Sequence, residues 1–210
     1  MTRENFNLKW HNYWYYYKWH TIAGIFVLLL IITFVTQCAN QVKPDVSILL
    51  VTKAEYVSQD QQNAIQEKLQ QFIPDINKDG KKVVSITNID LNEKQDATYF
   101  AAMVEKLMAI MQDNSQGVFI VDDGGYDYLQ KSDVFEKFSA VLPEAATTKD
   151  GYEIAISGLT SFKNQSFSSL TNNLYFAVRA YSGKSKSPDK TAYDNAISML
   201  KKIVENKPVK

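Results

Sequence analysis

The chain has 210 residues, of which 45% are hydrophobic, and its 23 basic and 23 acidic side chains give a formal net charge of zero. A near-neutral chain lacks the basic surface of a nucleic-acid-binding protein, so we expect no nucleic-acid partner. Both histidines lie in the first 20 residues and the single cysteine is Cys38, so residues 45–210 hold no Ser-His-Asp triad, Cys-His pair or catalytic zinc site, and we expect no enzymatic activity.

Residues 1–20 form an aromatic, basic tail that holds all three tryptophans and four of the 12 tyrosines. Trp and Tyr gather at the headgroup level of membranes, where an apolar ring and a polar tip are both accommodated. Trp10, Trp14 and Tyr17 recur at the spacing of one helix face. Together with Trp19, they are expected to anchor an interfacial helix. The alternative is a docking surface for another membrane protein.

Residues 21–39, TIAGIFVLLLIITFVTQCA, are uncharged. A helix of this length covers roughly 28 Å, close to the hydrocarbon thickness of a bilayer, so we predict one transmembrane helix. Arg3, Lys9 and Lys18 precede it, and basic residues stay on the cytoplasmic side. We therefore expect the tail in the cytoplasm and residues 45–210 as an extracytoplasmic domain.

Cys38 lies at the outer end of this stretch, where a lipoprotein signal peptide would be cleaved before a lipid-modified cysteine. Gln37 stands where a lipobox has a small residue, which favours an uncleaved signal anchor over lipidation. Residues 40–44 form a short linker, and Pro44 ends any helix that leaves the membrane.

The domain opens with a continuous apolar run, VSILLV at 46–51, which predicts a central strand buried on both faces. Ser58 and Gln61 form a capping box that starts a helix, and Pro74 ends this first strand–helix unit. The apolar stripe of the helix consists of Ala64, Ile65, Leu69 and Phe72.

The segment DINKDG that follows resembles the start of an EF-hand calcium loop, with Asp75, Asn77 and Asp79 as candidate metal ligands. Ile86 stands at the twelfth position, where such a loop has a bidentate Glu. Asp, Asn and Gly also form turns without metal, so both calcium binding and a metal-free turn stay open.

The same reasoning predicts strands at 83–89, 118–121, 152–157 and 174–180, helices from Asp96 to Gln112 and from Ser132 to Phe138, and a last helix capped by Ser187 with Pro188 at its first position. The inner face of the second helix is expected to hold Phe100, Val104, Leu107, Met108 and Met111. The last helix should bury Ala192, Ala196, Ile197, Leu200, Ile203 and Val204.

Alternating strands and helices predict an α/β domain, a three-layer sandwich with a mainly parallel, mixed sheet of about five strands. Open α/β sheets bind ligands beside the carboxyl ends of strands at a topological switch point. Asp122, Asp123, Gly124, Gly125 and Tyr126 follow the third strand there and form our candidate site for a small-molecule ligand or a protein partner. The alternative is a plain strand-to-helix turn.

The motifs DVSILLV, DINKDGKKVVSI, GVFIVDDGGY and LYFAVRAYSG make residues 45–205 resemble one lobe of the type II periplasmic solute-binding fold. YWYYYKWH before an uncleaved helix is similar to small anchored proteins of unknown function in Gram-positive bacteria. The resemblance implies solute binding, but those proteins close two lobes on a ligand, and the loop at 143–152 is too short to hold a second lobe.

Two functions follow from these patterns. The first is a membrane-anchored, non-enzymatic extracytoplasmic binding module without a cofactor, unless calcium binds the DINKDG segment. The alternative is an accessory subunit of a larger membrane complex, for example a transporter, that docks through its aromatic tail and transmembrane helix.

Overall fold

A computed structural model divides the chain into two compact units, Met1–Val42 and Lys43–Lys210, which are described separately. The residues whose structure is described are 3–39, 43–54, 56–145, 147–148, 150–163, 170–181 and 188–209. Several features of the sequence analysis lie outside this part: the side chains of Arg3, Lys9 and Cys38, residues 40–42 of the linker, residues 146 and 149 of the loop at 143–152, residues 182–183 of the LYFAVRAYSG motif, and Ser187.

The first unit is one helix, α1, Arg3–Ala39, so the aromatic tail and the apolar stretch are continuous. Within its segment Tyr13–Gln37, an 18-residue window has a mean hydropathy of 2.1, and none of that window is buried inside the protein. At a rise of 1.5 Å per residue, the 25 residues of the segment cover about 37 Å, so this helix is long and apolar enough to cross a membrane.

The second unit contains a mixed sheet of six strands, one more than the sequence predicts. These are β1 Val46–Thr52, β2 Val84–Asp90, β3 Gln116–Val121, β4 Phe135–Glu136, β5 Glu153–Ala155 and β6 Tyr175–Arg179. Their order is β2-β1-β3-β6-β4, and β5 also pairs with β6.

β1 is parallel to β2 and β3, whereas β6 is antiparallel to β3, β4 and β5. Thus β6 runs opposite to the other five described strands.

The remaining helices are α2 Gln59–Gln70, α3 Ala97–Gln112, α4 Asp123–Gln130, α5 Phe138–Val141 and α6 Lys190–Val204, with short 3-10 helices at Ile156–Gly158, Thr160–Phe162 and Leu170–Asn173. The predicted capping box of α2 is confirmed: the Ser58 hydroxyl accepts from the Gln61 amide, and the Gln61 side chain accepts from the Ser58 amide.

The core consists of two hydrophobic clusters, and alternate residues of β1 contribute to each. Ile48 and Leu50 belong to the first cluster, with side chains of α2 and α6. Leu49 and Val51 belong to the second, with side chains of α3 and α4. β1 is therefore buried on both faces, as the VSILLV run predicts.

Three local predictions are wrong. The segment from Ser132 to Phe138 is a turn followed by β4, because Phe135 and Glu136 pair with β6. Met108 is 59% exposed, since it sits at the margin of the apolar stripe of α3. Asp189 is the N-cap of α6 and accepts from the Thr191 amide, so Pro188 precedes the helix.

Candidate functional site

The carboxyl ends of the three parallel strands meet at one edge of the sheet. β3 lies on one side of β1 and β2 on the other, so the chain reverses direction across the sheet between β1 and β3. In open α/β sheets this is the crevice where ligands bind. Asp122 follows β3 directly at this point.

At this crevice, the side chain of Asp122 binds backbone amides of the protein itself. It is 1% exposed. Its carboxylate accepts from the Lys53 amide at 2.9 and 3.0 Å, from the Ala54 amide at 2.7 Å and from the Gly125 amide at 2.7 Å. One carboxylate thus joins the end of β1 to the first turn of α4.

The two glycines and Tyr126 also pack inward. A Cβ at Gly125 would collide with the carbonyl oxygen of Val51, and a Cβ at Gly124 would lie 2.8 Å from the Cβ of Lys53. Tyr126 is 5% exposed and stacks on Phe135 with ring centroids 5.1 Å apart. In the predicted segment, only Asp123 is an exposed residue. Ligand binding by residues 122–126 stays a prediction. In the structure, this segment connects the first turn of α4 to the end of β1.

A polar cavity of about 280 Å³ opens between the carboxyl ends of β1 and β2. Side chains from β1, the loop after it, α2, β2 and the start of α3 line it, among them Thr52, Tyr56, Gln62, Asn88, Asp90 and Tyr99. The sequence does not predict this cavity. The feature that could have indicated it is the pair of polar residues Asn88 and Asp90 at the carboxyl end of a strand.

The cavity presents hydrogen-bond acceptors and aromatic rings. The Oδ1 atom of Asn88 is buried without a hydrogen-bond partner among the described residues. Gln62 is held in place because its Nε2 donates to the carbonyl oxygen of Ile86 at 2.8 Å. Tyr56 is 76% exposed and Tyr99 38% exposed.

A second polar group lies on the side of α4, β5 and β6. Asp123, Asp127 and Asp150 are exposed carboxylates, whereas Glu153 of β5 is 92% buried, and its Oε1 atom has no partner among the described residues. Burial, and then the charges of Asp123, Asp150 and Asp127, raise the pKa of Glu153 to about 7. The hydroxyl of Tyr126 also has no described partner, and burial, followed by the charges of Glu153, Asp150 and Asp127, raises the pKa of Tyr126 to about 12.

Glu153 makes stability depend on pH in a way that can be measured. Its pKa is about 7 in the folded protein against 4.5 in the unfolded chain, so the folded state holds one more proton between these values. Stability is therefore highest below this window and falls as pH rises through about 7. We expect the free energy of unfolding to drop by about 2 kcal/mol from pH 5.5 to pH 8. Urea unfolding followed by circular dichroism measures this slope, and Glu153→Gln should flatten it. An unchanged slope in the variant would assign the effect to other groups.

The DINKDG segment is a turn closed by its own side chains. The Asp79 amide donates to Asn77 Oδ1 at 2.9 Å, the Gly80 amide to Asp75 Oδ2 at 2.8 Å and the Lys81 amide to Asp79 Oδ1 at 2.9 Å. No three described His, Cys, Asp or Glu side chains converge to hold a metal ion. The metal-free turn therefore accounts for these oxygens, and calcium binding stays a prediction.

The aromatic side chains of α1 stack along the helix. Trp10 lies against Trp14 with centroids 6.1 Å apart, and Tyr13 against Tyr17 at 5.5 Å. Trp10 also stacks on Tyr13 at 6.1 Å, so Tyr13 connects Tyr17 to Trp10 and Trp14 in one row of rings. Trp19 is 72% exposed and lies about 180° around the helix from Trp10. Rings therefore occupy two opposite sides of α1.

Comparisons of this chain with protein-family models, curated proteins and solved structures find no match. The resemblance to a solute-binding lobe stays a prediction, and function has to be argued from the carboxyl edge of the sheet itself.

Proposed function

We propose that this protein is a membrane-tethered, non-enzymatic binding module whose ligand occupies the polar cavity between β1 and β2. The observation that carries the proposal is a polar cavity at the carboxyl edge of a parallel sheet segment, with Asn88 and Asp90 of β2 in its lining. The Asp122–Tyr126 segment then serves as the frame that fixes the loop after β1, from which Tyr56 reaches the cavity.

The ligand class follows from the lining groups. Thr52, Asn88 and Asp90 offer acceptor oxygens, so the ligand is rich in donors such as hydroxyl groups. Among the described residues of the lining, Asp90 carries the charge, and it disfavours anions. Tyr56 and Tyr99 offer ring faces to a C–H surface. A volume of about 280 Å³ lies at the small end of ligand sites, which favours a monosaccharide or polyol.

Calorimetric titration of the full-length protein in detergent with glucose, N-acetylglucosamine, myo-inositol and glycerol tests the proposal. We expect one of these probes to bind, and Asn88→Ala to weaken binding by at least about tenfold. Because Asn88 Oδ1 has no described partner, the same variant should leave stability within about 0.5 kcal/mol of wild type. Gln130→Ala, an exposed amide on α4, is the matched control and should bind normally. Equal affinities of all three proteins would refute the cavity as the site.

For localisation, we propose a single-pass membrane protein with the tail in the cytoplasm and the second unit outside. Its support is the length and hydropathy of α1 together with Arg3, Lys9 and Lys18 on its N-terminal side. Protease added to intact cells should digest the second unit and spare a tag at the N-terminus. A second unit that resists digestion until the membrane is opened would contradict this orientation.

We also propose that the second unit is a three-layer sandwich, as the resemblance to a solute-binding lobe implies. The alternation of β1 residues between two clusters, one with α2 and α6 and one with α3 and α4, supports this arrangement.

The exposed rings on α1 favour a second candidate, an accessory subunit of a larger membrane complex. Rings on two opposite sides of the helix exceed what a simple interfacial anchor needs. Under this proposal, a pull-down in mild detergent retains a membrane protein in stoichiometric amount and loses it when Trp10, Trp14 and Trp19 become alanine. A monodisperse protein without a partner would count against it.

A further inference from the structure

We infer that a second cavity, between α3 and the end of α4, is a binding site for a single-chain amphiphile with an anionic head group, such as a fatty acid. We call it the α3–α4 cavity. It shares no described lining residue with the cavity between β1 and β2, so it does not depend on the sugar or polyol proposed there.

The α3–α4 cavity has the size and lining of a site for a largely apolar ligand. Its volume is about 730 Å³, within the range of small-molecule sites. The second half of α3, the end of α4, the loop after α4 and the end of β6 form its walls. The apolar residues of its lining include Leu107, Met108, Met111, Tyr128, Leu129 and Val134.

The helix α3 brings more apolar surface to this wall than the rest of the domain covers. Among its described residues, Leu107 is the buried one, although most of the helix is apolar. Met108 is 59% exposed, and Met111 is half-buried beside it in the lining. Methionine side chains are unbranched and flexible, so they adapt to a flexible partner such as an acyl chain. An acyl chain in the cavity would remove this surface from water.

The charges of the lining favour an anionic head group. The described charged residues of the lining are Lys131, Asp133 and Arg179, so two cations face one carboxylate. Arg179 is 2% exposed, and its guanidinium donates to the carbonyl oxygens of Met111 at 2.7 Å and Asp113 at 3.4 Å. These hydrogen bonds fix its positive charge at the end of α3.

Lys131 is the cation that a head group would meet. It is exposed at the end of α4, and a lysine can lay its apolar stem along an acyl chain while its ammonium group contacts a carboxylate. A hydrogen bond from Lys53 lowers the pKa of Glu93, and the charge of Lys131 contributes a smaller part. Glu93 is nevertheless paired with Lys53 at 2.8 Å, so Lys131 is available to a ligand.

Photo-crosslinking of the full-length protein in phosphatidylcholine nanodiscs tests this site. The probe is palmitate with a diazirine near the end of its chain, and mass spectrometry identifies the labelled peptides. We expect label at Met108 or Met111 and in the segment 128–134. Unlabelled palmitate should displace the probe, whereas hexadecylamine, with a chain of equal length and a positive head group, should compete at least about tenfold less well.

Two variants and two matched controls separate the ligand site from general effects. Lys131→Gln should weaken binding of palmitate by about fivefold, and Met108→Glu by about tenfold, because it adds a negative charge to the apolar lining. Lys201→Gln on α6 and Ala101→Glu on α3 make the same changes of charge at exposed positions outside the lining, and should bind like the wild type. All four positions are exposed, so the variants should fold, which circular dichroism verifies.

The inference is overturned if label is confined to α1, if the two variants bind like their controls, or if hexadecylamine competes as well as palmitate. A second copy of the chain is the other occupant to test. Rapid disulfide formation between copies that carry Met108→Cys and Cys38→Ser would assign the cavity to an interface between copies, and would also overturn the inference. Failure of this site leaves the cavity between β1 and β2 unaffected, because sugar binding there is measured separately.

Discussion

Asp122→Ala is expected to lower the free energy of unfolding by about 4 kcal/mol, since it removes a buried charged acceptor from three backbone amides. These amides belong to Lys53, Ala54 and Gly125, and alanine leaves them without an acceptor in a part-buried place. For a domain of this size the loss corresponds to a decrease in Tm of roughly 12 °C.

Thermal and urea unfolding followed by far-ultraviolet circular dichroism measures this loss. Asp122→Asn keeps the shape and one acceptor oxygen, so about half of the loss is expected. Asp127→Ala, one turn further along α4, is the control and should change stability by less than about 0.5 kcal/mol, because Asp127 is exposed. An Asp122→Ala protein as stable as this control would refute the structural role of the carboxylate.

Gly125→Ala is expected to destabilise the domain by about 3 kcal/mol or more. The new Cβ would overlap the carbonyl oxygen of Val51 and lie 2.9 Å from its carbonyl carbon. Both atoms belong to the backbone of Val51, which is fully buried, so α4 would have to move away and weaken the contacts of Asp122.

Gly158→Ala is the matched control for this substitution. A Cβ at Gly158 meets nothing within 4 Å, and the residue has no positive φ, so stability should stay the same or rise by about 0.5 kcal/mol. The two variants are compared by urea unfolding. Equal stability of the two proteins would show that α4 does not depend on its close approach to β1.

Local signals in the sequence predict the regular elements well. The Ser58–Gln61 capping box starts α2 as expected, because both of its hydrogen bonds join residues three positions apart. The apolar run at 46–51 is a strand between two parallel neighbours. Such features depend on residues close in sequence, which a single chain reveals.

Features that depend on distant partners were missed. β4 has two residues and exists because Phe135 and Glu136 pair with β6, more than 40 positions later. Glu153 is an acidic residue directly before the apolar Ile154, yet it is 8% exposed in β5. Neither the pairing nor the burial is visible in a local pattern.

In the candidate site too, the sequence predicts the local feature but not the long-range contact. The sequence predicts that Asp122 lies at the switch point between β1 and β3, and Asp122 does follow β3 beside β1. It does not reveal that the carboxylate turns inward to the amides of Lys53 and Ala54, since that contact spans almost 70 positions. The polar cavity needs the ends of β1 and β2 and the helix α2 in place at once, and was therefore found only in the folded structure.

Chemical-shift mapping tests the central claim, a ligand site between β1 and β2, most directly. Isotopically labelled full-length protein in micelles is titrated with the sugar or polyol that binds most tightly in calorimetry. We expect shifts at the amides of Thr52 and Tyr56, at the side-chain amide of Asn88 and at the ring of Tyr99, with Met108 and Met111 on α3 unchanged. Two results would contradict the account. One is that binding shifts the resonances of Met108, Met111 or α4 while these four groups stay unchanged. The other is that none of the four probes shifts any resonance.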